Sequence, residues 1–208
     1  MLQEIKLNLI NNSQDINNSE VLIFQKNVAE SFSEISVAWR VIQNLGVQDH
    51  HPFTYPLNFF VSAGDSFGNF TPQLEAFEGQ AYEVIKDRSG DVLRPSPFPS
   101  SSPLDVEVRN NLQTGGVSAN IFRDGKLLAT KTNVSPAQKA VFRFKPRIFI
   151  GVVSQVREGQ ILDSAIVQQV NTEIDLLGIK SADIIMTGGG GGPSATAFQF
   201  QLSNVNRV

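Results

Sequence analysis

Asp124-Gly125 stands between two runs, 117–122 and 127–134, in which apolar and polar residues alternate. Both central residues of a two-residue type I′ turn need positive φ, and an Asp-Gly pair meets that need at low cost. The segment is thereby restricted to an antiparallel hairpin. Ser135-Pro136 then turns the chain into 139–145, where Phe142 and Phe144 share one face and Val141, Arg143 and Lys145 the other. Pro146 cannot donate to a β-ladder, so it is predicted to end that strand before 148–153 resumes in extended form. This stretch reads as the core of an all-β protein.

The rest of the chain is consistent with that reading. Residues 2–10 alternate weakly, and 21–24 is a short apolar run of the kind buried on both faces. Residues 35–41 place Ile35, Val37, Trp39 and Val41 on one face, which makes Trp39 a core residue; a short helix over 28–36 is the competing reading. Residues 50–77 hold six Phe among Pro and Gly, and predict one strand at 57–62 within ordered loop. So many rings are expected to fold down onto something apolar. Residues 81–86 and 91–94 flank a second hairpin turn containing Gly90. The Pro/Ser-rich 95–103 stretch, with Phe98 embedded, reads as an anchored surface loop of one domain spanning 1–208; the alternative is a linker between lobes 1–94 and 104–208. In 166–177 a strand is expected from Val170 onward, with room for a short helix before it. Residues 182–187 and 196–202 are further strands, separated by five glycines. Twelve to fourteen strands with regular turn signals predict an all-β fold, sandwich or jelly-roll-like, mostly antiparallel, with at most one or two short helices.

Composition narrows the chemistry. The chain has no cysteine, which excludes disulfides, thiolate catalysis and cysteine-held metals. Fifteen Phe stand against two Tyr and one Trp. Phe lacks a polar tip, so this balance favours dry cores and hydrophobic protein seams over wet recognition surfaces. No apolar run approaches the ~18 residues of a membrane helix, and no basic segment leads into an apolar core at the N-terminus. The expectation is a cytoplasmic protein without transmembrane insertion, with unconventional export left open.

Gly64-Asp65-Ser66, after the strand-like FFVSA, resembles the nucleophile block of GDSL-type (SGNH) esterases. The resemblance implies Ser66 as a nucleophile on an α/β fold, completed by an Asp-x-x-His pair near the C-terminus. It covers fewer than a dozen residues. Phe67 stands where the family has Leu, no Gly-x-Asn-Asp block follows, and both histidines, His50 and His51, precede the serine. A Gly/Asp/Ser turn is the reading carried forward. The two histidines are adjacent, so on an extended chain they point to opposite faces and do not share a metal readily. Residues 188–192 lack the Lys-Ser/Thr ending of a phosphate loop and lead toward a strand. No catalytic residue, metal ligand or cofactor is therefore assigned.

Residues 1–100 hold twelve acids and six bases, and residues 101–208 eight acids and eleven bases. Between 121 and 157 lie eight bases and one acid, a strip that could meet an anionic partner. A sequence pI near 5.4 and the lack of interleaved aromatics argue against nucleic acid. The expected function is non-enzymatic: a structural subunit of a homo-oligomer or larger assembly. Arg143, Lys145, Arg147, Gly188, Gly189 and Gly190 are the candidate interface. The alternative is a lectin-like or lipid-surface module binding through Phe53, Phe67 and Phe70. An esterase using Ser66 is a remote third.

Overall fold

Sixteen strands and one short α-helix appear in the computed structural model, which describes residues 4–29, 36–170 and 172–208. The strands form four four-stranded sheets in two compact units. The first unit comprises residues 1–26, 36–57 and 146–208; the second comprises 27–35 and 58–145. The second is thus an insertion in the first. The 95–103 stretch lies inside the inserted unit, so the chain does not divide there. The divisions fall at 26/27, 35/36, 57/58 and 145/146. Pro146 is the last of these, and it does more than interrupt a strand: 139–145 and 148–153 belong to different units.

In the first unit, one sheet runs β16 (Thr196–Arg207), β15 (Ile179–Gly189), β1 (Glu4–Asn11), β4 (His50–Pro56). Here β1 and β15 are parallel, and the other neighbours are antiparallel. The second sheet runs β14 (Thr172–Asp175), β13 (Arg147–Val153), β2 (Glu20–Phe24), β3 (Ala38–Ile42), all antiparallel. Trp39 of β3 joins the two sheets, its ring edge-on to Tyr55 at 5.8 Å and to Phe53 at 6.4 Å, both on β4. Residues 21–24 are buried on both faces, as their unbroken apolar run predicts. The reason lies on the outer face, where Leu22, Phe24, Phe149 and Val153 pack against Val156, Leu162 and Val170. Helix α1 (Ser164–Gln169) closes over them with Ile166 and Val167. The Asp163 side chain caps that helix, accepting from the Ile166 N–H at 2.8 Å. Strand β14 follows, so the helix-then-strand reading of 166–177 holds. The competing helix over 28–36 falls largely on 30–35, outside the described residues, as does Ile35.

In the inserted unit, one sheet runs β11 (Lys126–Val134), β10 (Val117–Arg123), β5 (Phe59–Gly64), β6 (Leu74–Ala76). The other runs β12 (Lys139–Phe142), β9 (Val106–Asn110), β7 (Ala81–Asp87), β8 (Gly90–Pro95), with β7 and β9 parallel. The Tyr82 hydroxyl donates to the Glu75 carbonyl at 2.7 Å, and Phe59 meets Phe144 at 5.9 Å, so the sheets face each other across a common core. At the β10–β11 turn both Asp124 and Gly125 have positive φ, 55° and 68°. The hairpin is the one that local chemistry requires.

Three strands go beyond the sequence reading. β4 occupies residues expected to be loop, because Pro52 and Pro56 are tolerated on a sheet edge. β6 is only three residues long. β9 is hidden by its buried polar residues Glu107 and Asn110.

Glu107 explains how the 95–103 loop is anchored. Its carboxylate is wholly buried and accepts from Lys139 at 2.6 Å, Arg109 at 2.7 Å and the Ser101 N–H at 2.8 Å. Arg109 also donates to the Pro99 carbonyl at 2.7 Å. Burial opposes the charge on Glu107. The bonds from Lys139, Ser101 and Arg109 outweigh it and hold the carboxyl down at about 2. Phe98, by contrast, is 69% exposed and contributes its carbonyl, which accepts from Arg109 at 3.4 Å.

Candidate binding loop of the inserted unit

Strand β5 ends at Gly64, and the chain returns through 65–73 to β6. Asp65 builds the turn. One carboxylate oxygen accepts from the Phe67 and Asn69 N–H groups, each at 2.9 Å, and the other from the Asn69 amide at 2.8 Å. Its own N–H donates to the Asn69 carbonyl at 2.9 Å. Thr71 completes the return, its hydroxyl accepting from the Ala63 N–H and its N–H donating to the Ala63 carbonyl. The Asn69 side-chain bond, followed by the backbone bonds, holds the Asp65 carboxyl below the usual aspartate range. The Phe70 ring lies across Gly64, where any Cβ would come within 2.7 Å of it. A glycine is therefore required for the ring to sit there.

What this loop presents is apolar. Phe67 is 89% exposed at its tip and Phe70 is 68% exposed. Of the Phe rings in 50–77, Phe53 and Phe59 fold onto a core, whereas Phe67, Phe70 and Phe77 are exposed. Beside the loop runs an open groove of about 610 Å³, walled by Asp65 and Phe70 on one side and by Lys86 and Asp91 of the β7–β8 hairpin on the other. Lys86 and Asp91 form an ion pair at 2.9 Å.

The other candidates are dispersed. Phe53 is buried against Trp39 in the first unit. Ser66 is followed by a turn and then β6, without the helix that the esterase block implies, and the Asp65 oxygens are already engaged by the loop. Both histidines sit on β4 of the first unit. Of the candidate interface bases, Arg143 pairs with Asp105 at 2.6 Å and donates to the Ser102 hydroxyl, whereas Arg147 pairs with Glu173 in the other unit. Lys145 is the last residue of the inserted unit. Arg123, also in the basic strip, is buried against the Phe59 ring. Arg123, Arg143 and Arg147 of the strip are thus each engaged within their own unit. Counted by unit, the first holds nine acids and seven bases and the second eleven and ten. The imbalance between chain halves is not an imbalance between the units. Gly188, Gly189 and Gly190 pack against their own chain: Gly188 against Ala197 of β16, Gly189 against Phe198 and Asp15, Gly190 near Gln14.

Among the described residues no helix is long and apolar enough to cross a membrane, and no group of three or more His, Asp or Glu is placed to hold a metal ion. No family model, curated protein or solved structure matches this chain.

Proposed function

We propose that the protein acts by association, without chemistry of its own, as a structural subunit of a homo-oligomer or larger assembly. One observation carries this reading: Phe67 stands almost fully exposed on a loop whose backbone Asp65 already fixes. A lone exposed apolar side chain is ordinary. A ring on a pre-ordered loop, with Phe70 three positions on, is different, because the ordering cost of binding has already been met in the free protein. Burial of the ring, at ~25 cal/mol per Å², then goes into the contact. Solution mass by light scattering, for the native chain and Phe67→Ser, tests the reading. An oligomer that shrinks in the variant supports it, and a monomer at high concentration in both low and physiological salt overturns it.

The groove beside the loop favours a second reading, a ligand-binding module of lectin or lipid-surface type. Phe without a polar tip points to lipid over glycan. Liposome sedimentation that is lost in Phe67→Ser, together with a monomeric native chain, would establish it.

A further inference from the structure

Arg109 on β9 and Lys139 on β12 stand directly opposite each other across two antiparallel strands. Like charges so placed repel. Glu107 accepts from both, but one carboxylate balances only one of the two cations. Lys131 on β11 adds a third. All three line one open cavity of about 500 Å³ in the inserted unit, with Asn111, Ala137 and Gln138. Among the described residues no acid lines this cavity, and Glu107 is wholly buried. Two lysines of the basic strip thus meet an arginine from outside it, which the order of residues along the chain does not show.

We infer that this cavity binds a phosphate or sulfate ester of a sugar, its anionic group held between Lys131 and Lys139. The inference goes beyond association and uses neither Phe67 nor a second copy. Lys139 directs two of its three N–H groups to Glu107 and Ser101, each at 2.6 Å, and keeps the third for a ligand. The Arg109 guanidinium turns its donors to Glu107, the Ser96 hydroxyl and the Phe98 and Pro99 carbonyls, so it supplies positive charge and a fixed wall. The Gln138 side-chain oxygen accepts from the Ser135 N–H at 3.4 Å, which leaves its amide N–H groups as donors. Asn111 donates one amide N–H to Glu83 at 2.9 Å and retains the other. Ammonium groups beside neutral amides suit an oxyanion with hydroxyl groups attached. The volume falls within the ~300–1,000 Å³ usual for small-molecule sites, larger than inorganic phosphate alone requires. The walls narrow the rest of the ligand. They offer no aromatic ring to stack a nucleobase, and Ala137 is the one apolar side chain, too little for an acyl chain. An anion seated here also relieves the repulsion that Glu107 leaves between Arg109 and Lys139.

Calorimetric titration of the full chain at low salt tests the site, with glucose 6-phosphate, a heparin-derived disaccharide, inorganic phosphate and glucose as probes. The expected result is binding of an ester at least about tenfold tighter than inorganic phosphate, with no binding of glucose. Binding of glucose 6-phosphate supports the inference with a free sugar ester as the source. Binding of the heparin disaccharide alone supports it with a sulfated glycan. Lys131→Gln leaves the bonds of Glu107 in place and should weaken the ester at least about tenfold, with an unchanged far-ultraviolet spectrum. Gln138→Ala should weaken the ester more than it weakens phosphate. Lys6→Gln, at an exposed lysine of the first unit, should bind as the native chain does. Absence of binding by both esters overturns the inference, and so does an affinity that Lys131→Gln leaves unchanged. Inorganic phosphate bound as tightly as the esters overturns the assignment to a sugar. Because solution mass plays no part in the readout, a monomeric protein would overturn association and leave this site standing.

Discussion

Lys139 reaches 2.6 Å across from β12 to Glu107 on β9, beneath a loop that has no regular structure of its own. That pair, with its carboxylate buried and its lysine partly exposed, is extended by Arg109 and the Ser101 amide and ties a Pro/Ser-rich surface segment to a sheet. Removing Lys139 leaves the Glu107 carboxylate short of a partner in a dry site.

The pair has a pH signature. The Glu107 carboxyl is held at about 2 in the fold against an ordinary value of 4.5, so its stabilisation is present in full above 4.5 and is lost as pH falls toward 2. The contribution is on the order of 3 kcal/mol. Urea unfolding from pH 6 to pH 2 should show the native chain weakening across that window. Glu107→Gln should start lower and run flatter. A parallel decline of both proteins would assign acid sensitivity elsewhere.

Gly188 and Gly192 offer a controlled comparison. Both have positive φ, 85° and 66°. A Cβ at Gly188 would collide with the Ala197 carbonyl oxygen of β16, whereas one at Gly192 meets nothing within 4 Å. Gly192→Ala should cost about 1–2 kcal/mol, the intrinsic penalty of that backbone region. Gly188→Ala should cost more than about 3 kcal/mol and loosen the β15–β16 hairpin, as read by amide exchange along 196–200. Equal losses would mean that the hairpin end yields more easily than its packing implies.

For the binding loop, stability and contact should separate. Phe67→Ser should move unfolding free energy by less than about 0.5 kcal/mol, since the ring covers little of its own protein. Asp65→Ala should instead free the Phe67 and Asn69 amides, raising their exchange rates while the β5 amides stay protected. The same release should follow acidification. Asp65 is held below the ordinary aspartate range, so the loop keeps its order through that range and loses it only at lower pH. Protection at Phe67 that survives Asp65→Ala would show that the loop is fixed by something other than this carboxylate.

Where turn chemistry was local, the fold could be read ahead. Asp124-Gly125 specifies its hairpin within two residues, and the unbroken apolar run at 21–24 announces burial on both faces. What stayed hidden depended on distant partners. Pro52 and Pro56 signal loop until sheet order shows that β4 is an edge. Glu107 and Asn110 break the apolar pattern of β9 because their partners come from other segments. The pairing of Arg143 and Arg147 stayed hidden for a related reason, since Asp105 and Glu173 lie outside the basic strip in sequence. For the binding loop, Phe67 and Phe70 were legible as a pair of rings in a Gly-rich segment. Phe53 looked equivalent only because its burial against Trp39 requires two strands that the sequence does not place side by side.

The insertion of one unit into the other sets an order of synthesis. Leu9 is paired in parallel with Ile184, so the sheet built on β1 stays open until β15 has left the ribosome. All four edges of the inserted unit's two sheets lie between Phe59 and Phe142, and that unit can close much earlier. The segment that begins second is therefore the first to finish, while β1 and β2, both rich in buried apolar residues, have only β4 and β3 beside them and keep their other edges open. For this chain the hazardous interval is the translation of residues 146–208, when β1 and β2 without β15 and β13 are most in need of a chaperone.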